Sequence, residues 1–444
     1  MHSSLFRASR VRSLAFPVVF RRALSSTGVE VMESLASSSL TEDQLVYRDL
    51  ARTFADAELA PHAAQWDRDS FFPVATLRQA ASLGFGAMFC REEFGGTGLG
   101  RVDGAVVFEE LSSGCTSTTA FLTIHNMCAW MVDSFGDERL RKHWIPKLAS
   151  METVASYCLT EPNSGSDAAS LSTKATDDGE GHYVLNGSKA FISGGGVSDV
   201  YLVMCRTGGA GAGGVSCLLV EKGTPGLSFG ENEAKLGWKS QPTAAVFFDN
   251  VRVPKANRLG KEGEGFKIAM QGLDGGRLSI GACSLGAASK ALTVAQLYLH
   301  ERVQFGKPIA ANQALQFKVA DMATDLHGAR LILRNAAGLM DRQKRHNGDG
   351  GGGGSGGHGE EDPGGDSGVP GGGATVTVAC AMAKVKATDV GFKVCNDALQ
   401  LHGGYGYLNA YPLERMVRDV RVHQILEGTN EIMRHIIARA VLSK

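Results

Sequence analysis

The chain has 444 residues, which is enough for a large core and for two or three domains. Its 45 Lys and Arg residues nearly balance 46 Asp and Glu residues, for a formal net charge of −1. No broad basic field remains to hold a nucleic-acid backbone, so we expect no nucleic-acid partner. We also expect no membrane insertion, because no apolar run approaches the roughly 20 residues that cross a bilayer.

The first 29 residues form a separate compositional zone. Five arginines alternate with apolar residues, serine is frequent, and no acidic residue precedes Glu30. This profile predicts a mitochondrial transit peptide over residues 1–29, removed near residues 24–28. A disordered basic tail is the alternative. The chain ends in Leu-Ser-Lys, which differs from the peroxisomal address Ser-Lys-Leu.

Residues 41–152 are predicted to form an N-terminal helical domain. Thr41 is followed by Glu42 and Asp43, which is a favourable start for a helix. The apolar residues Leu45, Leu50 and Phe54 then follow at helical spacing.

Residues 153–260 change to short runs of β-branched and aromatic residues. The dipeptide Asn186-Gly187 favours a tight hairpin turn, and further strands are predicted at 200–204, 215–220 and 244–248. We therefore predict a middle antiparallel β domain, a barrel or a sandwich.

From residue 265 to residue 444 the helical pattern returns. Apolar residues with alternating steps of four and three predict one face of a long bundle helix: Leu315, Val319, Met322, Leu326, Ala329, Leu333, Ala336 and Met340. A second helix contains Val390, Val394 and Ala398, and Gly403 can end it.

An insert, residues 347–374, interrupts this helical region. It contains 15 glycines and almost no large apolar residue. Such a segment cannot bury enough surface to offset its ordering entropy, so it is predicted to be a disordered loop between two bundle helices.

Nine scattered cysteines contain no C-x-x-C pair. Their odd number and spacing argue against a disulfide framework and against a zinc site, and they fit a reducing compartment. We expect no metal ligands.

Two polar loops at the junction of helices and strands are candidates for binding a flat ligand. The first is Tyr157–Asp167, a loop shaped by Pro and Gly that offers hydroxyls and backbone amides. The second is Lys189–Gly196, in which Phe191 can stack and Ser193 can donate a hydrogen bond. The first loop, taken alone, is equally consistent with a structural turn.

Two further segments carry charged or aromatic residues next to helix ends. Asp274 and Arg277 lie three residues apart and hence on one helix face, although an ordinary surface ion pair has the same spacing. Arg302 and Phe305 precede Asn312-Gln313 just past the end of another predicted helix.

The segment Ile425–Met433 contains a candidate general base. Glu427 follows two apolar residues and precedes Gly428, a context that could keep a carboxylate out of water and raise its pKa towards neutrality. A solvated glutamate in a loop before the last helix is the alternative for this segment alone.

Together and in this order, these segments resemble the acyl-CoA dehydrogenase family of flavoproteins. The resemblance covers residues 41–440, apart from the insert. The motifs that carry it are T-E-P-x-S-G-S-D from Thr160, K-A-F-I-S from Lys189, G-L-D-x-x-R from Gly272, E-R-x-Q-F-G-K-P from Glu301, H-G-G-Y-G from His402, and L-E-G-T from Leu426.

This resemblance implies an α+β fold with a helical domain, a β domain and a C-terminal four-helix bundle. It also implies an FAD cofactor, an acyl-CoA substrate, electron-transferring flavoprotein as electron acceptor, and a homotetramer. Glu427 corresponds to the base that removes the α-proton of a short branched-chain acyl thioester, while a hydride leaves the β-carbon for the flavin.

The resemblance also implies binding roles. Substrate would contact Ser166, Asp274, Gly275, Gly276, Arg277 and Arg439. The flavin side of FAD would contact Cys158, Leu159, Thr160, Ser166, Phe191, Ile192 and Ser193, with Thr429, Asn430 and Glu431 closing over the nucleotide. The pyrophosphate and adenosine would contact Arg302, Phe305, Asn312 and Gln313, together with Gln400, Leu401, His402, Gly403 and Gly404 of a neighbouring subunit.

Some relatives place the base on the helix beside the arginine. Here that position is Gly276, so the resemblance assigns the base to Glu427. An acyl-CoA oxidase and a non-catalytic flavin-binding protein on the same fold are the alternatives. The transit-like N-terminus argues against the first, and the presence of Glu427 against the second.

Overall fold

The computed structural model describes residues 27–349 and 372–443. The chain divides into two compact units, and the first, Met1–Ser39, contributes one described helix, α1 (Thr27–Ser37). The transit-peptide prediction therefore falls almost wholly outside the described residues. The second unit, Leu40–Lys444, contains the sheet and the remaining described helices.

Helices occupy both ends of the second unit. The N-terminal helices are α2 (Glu42–Phe54), α3 (Ala63–Asp69), α4 (Val74–Ala80), α5 (Arg101–Gly114), α6 (Thr116–Phe135) and α7 (Glu138–Ala149). The C-terminal helices are α8 (Gly265–Glu301), α9 (Gln313–Asp349), α10 (Gly372–Leu401), α11 (Leu413–Arg421) and α12 (Asn430–Leu442).

The first helix of this unit begins where the sequence predicts. The Thr41 hydroxyl accepts a hydrogen bond from the Gln44 N–H, and the Gln44 side chain accepts one from the Thr41 N–H. This reciprocal capping box satisfies two N–H groups that have no partner within the helix.

The strands lie between the two helical parts. They are β1 (Ala155–Cys158), β2 (Lys174–Asp177), β3 (His182–Ser193), β4 (Val200–Arg206), β5 (Val215–Glu221), β6 (Leu227–Phe229), β7 (Thr243–Pro254) and β8 (Arg258–Leu259). They form one sheet in the order β6-β7-β3-β2-β4-β5-β8, with β1 also paired to β4. A separate hairpin contains β9 (Val303–Gln304) and β10 (Lys307–Pro308).

The predicted fold class is confirmed, but the sheet is mixed rather than wholly antiparallel. Both β1 and β2 pair with β4 in parallel. The cause is β3, a strand of 12 residues that runs past β2 to pair with β7. The turn at Gly194–Val197 then returns the chain beside β1.

The prediction of a tight hairpin at Asn186-Gly187 is wrong. Strand β3 runs through this dipeptide, and its register against β7 shifts between Leu185 and Gly187, which marks a bulge. Gly187 has φ +145°, and a Cβ there would lie 2.8 Å from the Thr173 Cα. The glycine thus permits a close approach of two backbones, while Asp178–Gly181 forms the actual turn between β2 and β3.

The two faces of β4 explain how the layers pack. Leu202 and Met204 belong to a core shared with α6, α7 and α8, whereas Tyr201 and Val203 belong to a second core formed by the strands. A strand covered on both faces reads as a continuous apolar run, as residues 200–204 do.

The C-terminal helices form the predicted bundle. Helix α10 packs against α8, α9, α11 and α12, and α8 also contacts α5 and α6. The apolar face predicted for α9 is buried at Met322, Leu326, Ala329, Leu333 and Ala336. The predicted disordered loop at residues 347–374 lies for the most part outside the described residues, since α9 extends to Asp349 and α10 begins at Gly372.

Helix α8 is the described helix that is long and apolar enough to cross a membrane, a property the sequence reasoning overlooked. Of its most apolar window, 78% is buried inside the protein. Its apolar character is therefore explained by packing between the sheet and the other helices.

Candidate active site

Glu427 lies in the short connection between α11 and α12, and its backbone has an unusual conformation. It has φ +59° and the following Gly428 has φ +87°. A non-glycine residue in this left-handed region costs about 1–2 kcal/mol, and such strain is concentrated at functional sites. The φ of Gly428 is one that side-chain-bearing residues rarely adopt, so the second position favours glycine.

The carboxylate of Glu427 points into the protein against Gly276 of α8. A Cβ on Gly276 would lie 2.4 Å from the Glu427 Oε2, so any side chain there would displace the carboxylate. Oε2 is enclosed and has no hydrogen-bond partner among the described residues. Burial raises the pKa of Glu427 to about 7, although the positive charges of Arg277 and Lys384 oppose the rise.

The Asp274–Arg277 pair is buried rather than a surface ion pair. The Arg277 Nη1 donates to Asp274, and the Thr377 hydroxyl of α10 donates to the other Asp274 oxygen at 2.7 Å. The Arg277 Nε donates to the backbone carbonyl of Glu427 at 3.2 Å. This network joins α8 to the loop that holds Glu427, and burial raises the pKa of Asp274 despite it.

Lys384 of α10 completes the support of this loop. Its ammonium group donates to the Gly428 carbonyl at 2.9 Å and to the Asn430 side chain at 2.8 Å. Burial lowers the pKa of Lys384 to about 8, and the nearby Glu427 opposes this change. The sequence reasoning did not select Lys384, although a lysine on an otherwise apolar face of a predicted helix was a usable signal.

The two polar loops predicted to bind a flat ligand are neighbours in the structure. The Ala190 N–H donates to the Thr160 carbonyl at 2.8 Å. Buried Lys189 donates to Glu161 and to the Leu159 carbonyl, both at 2.9 Å. Burial alone would raise the pKa of Glu161, but Lys189 lowers it to about 2, so the pair is ionised and fixes both loops.

These loops present groups that suit the flavin ring of FAD. The ring of Phe191 is 69% exposed and its backbone has φ +59°, so it projects from the end of β3. The Tyr157 hydroxyl is enclosed without a partner among the described residues and lies near enough to Glu427 for their charges to interact. Buried polar atoms normally have hydrogen-bond partners, so the unpartnered Tyr157 hydroxyl and Glu427 Oε2 are consistent with polar atoms of a bound molecule at this site.

A cavity of about 430 Å³, separate from the Glu427 site, lies at the C-terminal end of α8. It brings together predicted cofactor residues from two segments, Arg302 and Gln400–Gly404. The Arg302 guanidinium carbon lies 5.6 Å from the Tyr405 ring centre. Phe305, at the tip of the β9–β10 hairpin, is fully exposed, and Asn312 accepts a hydrogen bond from the Ala314 N–H at the start of α9.

Other residues predicted to bind the substrate or FAD are exposed or have side chains engaged within the protein. Ser166 is exposed on the first polar loop, and Arg439 is exposed near the end of α12 without a contact to the Asp274 network. Asn430 is buried, and its side chain is held by Lys384, Thr388 and Asp389. Its side chain therefore supports the Glu427 loop, whereas Thr429 caps α12 through the Ile432 N–H.

The chain matches three domain models of the acyl-CoA dehydrogenase family. The N-terminal domain model matches residues 41–152, the middle domain model residues 156–251, and the C-terminal domain model residues 263–353 and 367–442. The chain therefore belongs to the acyl-CoA dehydrogenase family, whose members are FAD-dependent oxidoreductases.

Two similar proteins are described as mitochondrial isobutyryl-CoA dehydrogenases. The Bos taurus protein is 52% identical over 408 residues, 92% of this chain and 91% of the relative. The Dictyostelium discoideum protein is 53% identical over 404 residues, 91% of this chain and 90% of the relative.

Solved structures share the fold over most of the chain. Butyryl-CoA dehydrogenase from Megasphaera elsdenii is 34% identical with a TM-score of 0.82, covering 91% of this chain and 99% of that one. A chain from a structure of the electron transferring flavoprotein of Acidaminococcus fermentans is 38% identical with a TM-score of 0.82, covering 91% and 99%.

Proposed function

We propose that the protein is an FAD-dependent dehydrogenase of short branched-chain acyl-CoA thioesters that converts isobutyryl-CoA to methacrylyl-CoA in valine catabolism. The observation that carries this proposal is the enclosed and unpartnered Oε2 of Glu427, whose carboxyl group has a pKa of about 7. A general base that works near neutral pH needs such a pKa. The identity of 52% and 53% to mitochondrial isobutyryl-CoA dehydrogenases supports the substrate.

Glu427 would remove the α-proton of the acyl thioester at Oε2, the atom that lies against Gly276. FAD, when bound, would accept the hydride from the β-carbon. The α-proton is only weakly acidic, so the thioester oxygen needs hydrogen-bond donors as negative charge develops on it. The Glu427 N–H donates to no acceptor among the described residues and is available for that oxygen.

The polar loops would hold the flavin ring. We assign Thr160 and Ser193 to hydrogen bonds with the ring and Phe191 to its face, with Cys158, Leu159 and Ile192 around them. The anchoring of these loops supports this assignment, since the Ser156 hydroxyl donates to the Ser193 carbonyl and Lys189 donates to both the Leu159 carbonyl and the Glu161 carboxylate.

The acyl-CoA would lie along α8. The substrate is proposed to contact Asp274, Gly275, Gly276 and Arg277. Its outer end would contact Ser166 and Arg439. The glycine pair supports this path, because a side chain at Gly276 would displace the Glu427 carboxylate and one at Gly275 would displace the Arg101 guanidinium.

We propose that a second copy of the chain completes each FAD site. Arg302 lies 25 residues after Arg277 on the α8 axis, which corresponds to roughly 37 Å. That separation exceeds the length of an FAD molecule whose flavin ring lies beside Glu427. The cavity at Arg302 and Gln400–Gly404 would therefore hold the pyrophosphate and adenosine of a neighbouring subunit's FAD, with Phe305, Asn312 and Gln313 nearby.

We propose a homotetramer on this basis. A groove of about 1040 Å³ between α9, α10 and α12 offers an apolar contact surface in support, since Leu331, Ile332 and Met382 in its lining are 40–46% exposed.

We further propose a location in the mitochondrial matrix and electron-transferring flavoprotein as electron acceptor. The basic, acid-free residues 1–29 and the mitochondrial relatives support the location. The structural match to a chain from an electron transferring flavoprotein structure supports the acceptor.

Anaerobic bleaching of the bound flavin tests the substrate. The purified holoenzyme is mixed with isobutyryl-CoA, 2-methylbutyryl-CoA or butyryl-CoA, and the flavin absorbance is followed. We expect the fastest bleaching with isobutyryl-CoA. Faster bleaching with another short acyl-CoA would replace the proposed substrate, and absence of bleaching with every thioester would favour a non-catalytic flavoprotein.

The same holoenzyme distinguishes a dehydrogenase from an acyl-CoA oxidase. We expect reoxidation of the reduced flavin to be fast with electron-transferring flavoprotein and slow with oxygen. Rapid reoxidation by oxygen with stoichiometric peroxide would instead assign the chain as an oxidase.

A further inference from the structure

Arg101, the first residue of α5, places a guanidinium group between the N-terminal helices and α8. Its central carbon lies 4.0 Å from the Phe89 ring centre and 5.0 Å from the Trp130 ring centre. A Cβ on Gly275 would lie 2.5 Å from the Arg101 Nη1. The flat faces of the guanidinium are thus packed against rings and against the α8 backbone, which leaves its N–H edges for hydrogen bonds.

These N–H edges have no acceptor in the part of the chain that the structure describes. The side chain is 9% exposed, yet it donates no hydrogen bond and forms no ion pair within 4.0 Å. The nearby Asp341 carboxylate instead accepts from the backbone N–H groups of Arg101 at 2.6 Å and Val102 at 3.1 Å. The guanidinium nitrogens are absent from the fully enclosed unpartnered atoms, so they border open space.

The position of this cation relative to Glu427 follows from two consecutive glycines. Arg101 lies against Gly275, and the Glu427 carboxylate lies against Gly276. The Cα atoms of these glycines are about 3.8 Å apart, and consecutive helix residues point about 100° apart, so the cation and the base lie on neighbouring faces of α8 and not in contact. Burial lowers the pKa of Arg101 only to about 10, so the group stays charged at neutral pH.

We propose that Arg101 binds the pantetheine amide carbonyl nearest the thioester sulfur of the acyl-CoA. This assignment rests on the proposed function. An isobutyryl group carries no hydrogen-bond acceptor except the thioester oxygen, which belongs beside the Glu427 N–H. The next acceptor along the substrate is that amide carbonyl, and an unpaired buried cation one residue away on α8 meets its need for a donor.

Two small thioesters test this contact. S-isobutyryl-N-acetylcysteamine contains the amide carbonyl, and the S-pentyl thioester of isobutyric acid replaces the amide by methylenes. We expect the wild-type holoenzyme to prefer the amide thioester in kcat/KM by about 10- to 100-fold, as for a hydrogen bond to a charged group. In Arg101→Met the preference should fall to within about threefold, whereas Arg101→Lys should retain part of it.

A purely structural role would change both thioesters equally. Flavin content and isobutyryl-CoA turnover are measured for each variant. If Arg101→Met does not fold, the test rests on whether the wild-type holoenzyme prefers the amide thioester to the S-pentyl thioester. Equal use of the two thioesters by the wild type, or an unchanged preference in Arg101→Met, would overturn the assignment. A wild-type holoenzyme inactive with every acyl-CoA would instead overturn the proposed function, and this assignment with it.

Discussion

Glu427 combines three features that mark it as a functional carboxylate. Its backbone has φ +59°, its Oε2 is enclosed, and the cations Arg277 and Lys384 lie near enough to influence it. Burial without these cations would raise its pKa further and leave it protonated at neutral pH. The balance of burial and charge therefore holds the pKa near 7, where both proton uptake and proton loss are possible.

The pH dependence of turnover follows from this balance. The pKa of Glu427 is raised from 4.5 to about 7, so the ionised base forms, and kcat/KM rises, as the pH increases through about 7. Lys384→Met removes a cation that lowers the pKa of Glu427. The rise of kcat/KM should therefore occur at a higher pH in this variant. We expect kcat/KM at pH 7 to fall about three- to tenfold.

A control lysine is available on α7. Lys142 has an exposed side chain that pairs with Glu138, so Lys142→Met should leave the pH at which kcat/KM rises unchanged. Lys384→Arg keeps the positive charge, so its kcat/KM should rise at nearly the same pH as that of the wild type. If kcat/KM of Lys384→Met still rises near pH 7, this lysine only supports the loop and does not set the pKa of Glu427.

At the scale of the element, α8 is the scaffold on which the site is built. Its residues 274–277 supply the Asp274–Arg277 pair and two glycines that accommodate Arg101 and Glu427. The sequence identified the pair by its spacing and Glu427 by its motif. Arg101 and Lys384 were not identified, because they approach from α5 and α10, and single-sequence periodicity does not show which helices pack together.

The strand β3 shows a different limit of sequence reasoning. Asn186-Gly187 has the composition of a hairpin turn, but β3 pairs with β2 on one side and β7 on the other. Long-range pairing overrode the local turn preference, and Gly187 serves a bulge instead.

The buried pair Glu109–Arg330 joins α5 to α9 and should dominate the local stability. The Arg330 Nε donates to Glu109 at 2.8 Å, and its Nη2 donates to Ser289 of α8 at 2.9 Å. Arg330→Met leaves a buried carboxylate without its main partner. We expect a loss of about 3–5 kcal/mol in the free energy of unfolding, measured by chemical denaturation.

The pH dependence of this loss has a definite sign. Burial alone would raise the pKa of Glu109, but Arg330 and Arg334 together lower it below 4.5. Its contribution to stability is therefore present above about pH 4.5 and is lost as the pH falls through the folded-state pKa. Lys142→Met, which removes a fully exposed ion pair with Glu138, should leave the free energy of unfolding nearly unchanged, because solvent screens such a pair. An equally small effect of Arg330→Met would contradict the structural role.

At the scale of the whole molecule, the glycine-rich insert separates two helices of the bundle. Composition alone predicts residues 347–374 as a loop, and the C-terminal domain model matches the chain on both sides, at 263–353 and 367–442. Replacing the insert by a short turn should leave kcat/KM within about twofold and the oligomeric state unchanged, as surface loops tolerate length changes. Loss of the oligomer or of activity would assign the insert a structural role.

The variant Glu427→Gln shows whether Glu427 removes the α-proton of the substrate. The variant should keep its yellow flavin and bind isobutyryl-CoA, because glutamine retains the shape of the side chain but cannot accept the proton. Stopped-flow anaerobic mixing should then show flavin reduction slowed by about 10³-fold or more. Flavin reduction at a near wild-type rate in a variant with full flavin content would show that Glu427 is not the base.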